Sequence, residues 1–148
     1  MKKILLFLFS LTLSASLLAN SDNYNFPKLK EKMEKDGYKL EYVKKDEGFN
    51  FKKGDSHVEV TDYKTYAKLN DAIANSINLL EEKGFKLVTQ ECDFGNGILV
   101  FTNPSIKDYA FVLSANYKKN IMLNTGGSPK DVEFSVKTLQ ETLKPVKK

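Results

Sequence analysis

The chain has 148 residues, 41% of them hydrophobic, which suffices for one compact domain with a buried core and falls short of several. All 23 basic residues are lysines, so the planar fork that arginine offers to phosphates and carboxylates is missing. A formal charge of only +4, one cysteine and one histidine argue against a disulfide framework, a dedicated polyanion or nucleic-acid binder, and a zinc centre built on Cys and His.

The chain opens with Lys2 and Lys3, an apolar run from Ile4 to Leu18, and Ala19 before the polar Asn-Ser-Asp-Asn stretch. This is the plan of a secretory signal peptide over residues 1–19, cleaved to leave a single α+β domain over 20–148. The run is shorter than the roughly 20 apolar residues of a membrane-spanning helix, so the mature chain is expected not to span a membrane. It is expected outside the cytoplasm, in the periplasm or at the cell surface. Removal of the two leader lysines lowers the formal charge by two, and a solvated lysine-rich surface accounts for the rest.

A first, heavily charged helix is predicted over about Pro27 to Asp36, with Leu29 and Met33 on its apolar side and Gly37 as its stop. "YKLEYV" then alternates, placing Tyr38, Leu40 and Tyr42 on one face of a strand. "HVEV" sets Val58 and Val60 opposite His57 and Glu59. A second helix over about Thr65 to Lys83 carries Tyr66, Leu69, Ile73, Ile77 and Leu80 as one stripe. Beyond Gly84, "ILVFT" and "YAFVLSA" are apolar on nearly every position, as in strands at the centre of a sheet or covered on both faces. Asn96-Gly97 is a tight-hairpin pair. A third helix starts at Ser128-Pro129 with Asp131 three residues after its cap, buries Val132, Val136, Leu139 and Leu143, and stops at Pro145.

The order is α-βββ-α-ββββ-α, and most strand connections are too short for parallel crossovers. An α+β domain is expected, with helices packed on one face of a mainly antiparallel sheet. "EKDGYKL" and "EEKGFKL" match when Gly37 is set on Gly84, an offset of 47 that fits one α-β unit used twice.

Chemistry is sparse along the chain. His57 and Cys92 could meet as a nucleophile pair, but His57 alternates with Val58 onto the wet face and Cys92 sits near a strand end between Glu91 and Asp93, so a surface histidine and a structural thiol are expected. No serine sits in a nucleophile-elbow pattern. "KKDEG" and "DFGNG" depart from calcium-loop spacing and read as turns. The kinase-like triplet Asp93–Gly95 lacks every other kinase element. "GGSPKD" resembles an anion-binding helix start but matches no phosphate-loop spacing, so a capped turn is expected. Nothing singles out a catalytic residue, a metal ligand or a cofactor.

Aromatic residues remain. Phe134 lies off the apolar stripe of the third helix, and Tyr24, Tyr63 and Tyr117 fall in predicted loops or element ends. These four form the candidate contact set for protein or glycan. The expected function is that of an exported cell-envelope module that binds another envelope or surface protein and so modulates attachment or assembly. The alternative is a small-ligand or weakly hydrolytic domain with a pocket between the sheet and helix 65–83. A pocket lined by Tyr38, Tyr42, Phe49 and Phe51 would favour the alternative, and a filled core the binding module.

Overall fold

The computed structural model describes residues 23–44, 47–93 and 96–145. The leader expected over 1–19 lies outside the described residues. Ten elements follow in the order read from the sequence: α1 (Phe26–Lys35), β1 (Lys39–Lys44), β2 (Gly48–Lys53), β3 (Ser56–Asp62), α2 (Tyr66–Glu82), β4 (Lys86–Asp93), β5 (Asn96–Thr102), β6 (Ala110–Asn116), β7 (Ile121–Gly127) and α3 (Pro129–Thr142). The strands form one antiparallel seven-stranded sheet, ordered β1-β2-β3-β7-β6-β5-β4. Two meanders meet where β3 pairs with β7, and among the described residues β1 and β4 are the edges of the sheet.

Both faces of the sheet carry helix. Ile121 and Leu123 of β7 join Phe49, Phe51, Val58 and Val60 in a cluster with Phe26, Leu29 and Met33 of α1 and Leu139 of α3. Met122, between those two β7 residues, joins Phe101, Leu113 and Ala115 in a second cluster with Leu69 and Leu80 of α2. Adjacent residues of a strand point to opposite faces. Hence α1 and α3 cover one face, centred on β1, β2, β3 and β7, and α2 covers the other, over β5, β6 and β7. The expectation of helices on a single face is corrected in this respect. The consecutive burial of Val112-Leu113 and of Ile121-Met122-Leu123 is the consequence, since strands covered on both sides lose the polar alternation.

The first core is packed solid with aromatic rings. Phe26 stands edge-on to Phe49 at 5.1 Å and stacks near Phe51 at 6.1 Å, while Phe49 meets Phe51 edge-on at 5.7 Å. Tyr38 is buried as well. Tyr42 departs from the predicted alternation: a bulge between Leu40 and Tyr42 slips the register of β1, so Leu40 and Val43 face the core and Tyr42 faces solvent. The aromatic pocket that would have favoured a small ligand is therefore filled core.

The two α-to-β transitions are built alike. Gly37 and Gly84 both take left-handed backbone, with φ of 97° and 91°. Around them Tyr38 N–H donates to Met33 O and Phe85 N–H to Leu80 O, both at 3.0 Å, with Gly37 and Gly84 donating to Glu34 O and Glu81 O. These are matching Schellman caps. The following strands also bulge at matching places, between Leu40 and Tyr42 and between Leu87 and Thr89.

Candidate functional site: a groove beside the last helix

Because α3 lies over β3, β7 and β6, where Val132 packs with Ala110 and Val112, the part of that face formed by β4 and β5 is left without a helix among the described residues. The step between them is an open groove of about 570 Å³. Its apolar surface comes from Ile98 of β5, Leu123 of β7, and Val136 and Leu143 of the α3 side. Polar groups are set among them: Ser114 and Asn116 on β6, Gln140 on α3. Glu91 at the rim is the charged residue of the lining, and no lysine borders the groove among the described residues. In a chain with 23 lysines, that makes the groove neutral to mildly acidic ground.

Local chemistry holds the walls in place. Ser128 caps α3 by accepting from Asp131 N–H at 3.2 Å. The Asp131 carboxylate then accepts from Ser56 Oγ at 2.7 Å and from Lys53 Nζ at 3.1 Å, which ties the helix start to the β2-β3 hairpin. The Ser56 hydrogen bond, reinforced by Lys53, holds the Asp131 carboxyl below the ordinary carboxylate range. The capped turn expected at the start of this helix is thus present, with the protein's own Asp131 carboxylate held beside it. At the far end of the helix, Tyr24 bridges Leu143, with Asn25 N–H donating to Thr142 O at 2.8 Å.

The four sequence-selected aromatics are dispersed by the fold. Tyr24 is buried, edge-on to Phe49 at 5.6 Å, and closes one end of the groove. Burial pushes its phenol well above the ordinary value. Phe134 is half-buried and stacks on Tyr38 at 6.5 Å. Tyr63 packs against the α2 core on the opposite face. Tyr117 sits at a strand end with its ring 5.8 Å from the exposed Tyr66, beside a small cavity of about 110 Å³ under α2. Only Tyr24 borders the groove, and the four make no common patch.

Ser114, Asn116 and Gln140 were missed by the sequence reading. Each had a signal. Ser114 and Asn116 break the apolar run of β6 at alternate positions, hence on one face. Gln140 lies four residues after Val136, an exposed polar group beside the helix's inward stripe.

His57 and Cys92 do not pair. β3 and β4 are four strand spacings apart in the sheet, about 19 Å. His57 lies against the Phe111 ring at 5.6 Å, and burial lowers its pKa. Cys92 is exposed at the edge, with Gln90 Nε2 3.9 Å from its sulfur. No group of three His, Cys, Asp or Glu residues suited to a metal occurs among the described residues, and none of their helices is long and apolar enough to cross a membrane. Comparisons with protein-family models, curated proteins and solved structures find no match to this chain.

Proposed function

We propose that the protein is an exported module of the bacterial cell envelope that works by binding, holding a segment of another envelope or surface protein in the groove beside α3. The observation that carries this reading is the groove itself. Its volume of about 570 Å³ falls in the range of specific binding clefts, roughly 300 to 1,000 Å³. Its lining suits a peptide: apolar patches accept side chains, while Ser114, Asn116 and Gln140 offer both donors and acceptors to an extended backbone. With Glu91 at the rim and no lysine among the described lining, the favoured segment is neutral or carries a positive charge. The α2-side cavity of about 110 Å³ lies below the range of most ligand sites, which favours the groove over it.

The test is capture of residues 20–148 against the producing cell's own envelope after mild crosslinking. Gln140→Arg and Ser114→Arg, which fill the groove with bulk and charge, are expected to lose the dominant partner. Asn50→Arg, on the opposite face of β2, is expected to keep it. Equal capture by all three variants would overturn the groove as the binding site.

A further inference from the structure

We infer that β4 is a self-complementary edge through which two copies of this chain pair, joining their sheets across a two-fold axis. β4 is the outer strand of the β4–β7 meander, and every residue from Lys86 to Cys92 is exposed. Leu87 and Val88 are 47% and 56% exposed on it. A bare strand of this length presents unpaired backbone donors and acceptors, a template for another strand.

The charges choose the occupant. In an antiparallel pairing centred between Val88 and Thr89, Lys86 of one copy lies opposite Glu91 of the other, and the two-fold axis makes this contact twice. Leu87 then lies opposite Gln90. The bulge at Val88 makes the register self-consistent: Lys86 pairs with Thr102, and Glu91 with Ile98, so both fall on the α3 face although five residues apart. Residues directly opposite each other across such a junction must share a face. Among the described residues neither Lys86 nor Glu91 is held in an ion pair.

The other edge provides the contrast. Shifted by 47 positions, the same register on β1 sets Lys39 opposite Lys44, which is paired with Glu47 at 3.2 Å, so that edge lacks the opposite-charge match. The two α-β units are alike in cap and bulge and differ here in the sign of one end charge. A self-complementary edge on one side and an edge without that match on the other closes the assembly at two copies rather than a fibre. A six-residue ribbon is a small interface, so the association is reversible and depends on concentration.

The experiment is sedimentation of residues 20–148, which contain every described element, over a wide concentration range. The expected result is a monomer–dimer equilibrium. Lys86→Glu and Glu91→Lys, each placing like charges opposite one another twice, are expected to weaken it about tenfold or more. The double variant restores it. A second measurement keeps the register falsifiable: in a Cys92→Ser background, Leu87→Cys with Gln90→Cys is expected to form interchain disulfides, and Leu87→Cys alone to form few. A monomer at all concentrations, or single charge reversals that leave the dimer intact, would overturn the pairing. Glu91 also borders the groove, but sedimentation and disulfide formation of the purified chain involve no bound segment, so these readouts stand or fall apart from the proposed function.

Discussion

Asp131 shows how much one side chain carries when it sits at the start of a helix. It occupies the cap turn, accepts from Ser56 and pairs with Lys53, and Lys53 in turn lies 5.6 Å over the Tyr38 ring and 3.3 Å from Asp36. Its side chain is 18% exposed, so the interactions are only partly screened. Asp131→Asn is expected to cost about 1 to 3 kcal/mol, measured by urea unfolding at neutral pH. The sign of the pH effect follows from the lowered carboxyl. Its stabilisation is complete above the unfolded pKa near 4 and is lost as pH falls through the lower folded value. The wild type is expected to show a steeper acid-side loss of stability than Asp131→Asn. His57 gives a second slope of the same sign: burial favours its neutral form, so stability falls as pH drops below about 6.5, and His57→Gln should remove that part.

At the scale of elements, helix stops and strand bulges set the geometry. Gly37 and Gly84 have room for a Cβ, with the nearest atoms 3.5 Å away on Lys53 and Asn103, so alanine there costs mainly backbone strain, about 1 to 2 kcal/mol. Gly127 adds a collision to its positive φ, because a Cβ would sit 2.2 Å from Ser56 Oγ. Of these three, thermal unfolding is expected to rank Gly127→Ala as the most damaging, with Gly37→Ala and Gly84→Ala milder and similar. Helix limits were legible in the sequence to within a residue or so, because caps and stops are local chemistry: Ser128, Thr65 and the two glycines act on their immediate neighbours. The alternation of β1 was not legible. The bulge beyond Leu40 comes from pairing with β2, and no property of "YKLEYV" alone announces it. Tyr66 failed as a stripe residue for a similar reason, since α2 ends its cover at Leu69 and leaves that ring 58% exposed against Tyr117.

At the scale of the molecule, the sheet carries α1 and α3 on one face, from β1 across to β6, and α2 on the other, over β5, β6 and β7. That division was half-written in the strands: positions 110–113 and 121–123 lack polar alternation, as strands covered on both sides do. Which helix went to which face depended on tertiary packing and was not readable. The groove depends on the same division, because it exists only where α3 stops short of β4 and β5. Aromatic exposure was the wrong guide to it. Phe134 and Tyr24 were drawn into the first core by the large area that aromatic rings bury, and the groove is lined by smaller polar residues among aliphatics.

The most direct measurement is position-resolved photo-crosslinking in the producing cell, with a photoreactive side chain placed at Gln140 in the groove or at Asn50 on the opposite face. If the groove is the working surface, Gln140 crosslinks to one envelope or surface protein that Asn50 does not reach, and Ser114→Arg abolishes the product. Products that are the same from both positions, or none from Gln140 where Asn50 gives one, would contradict a groove-based binding module.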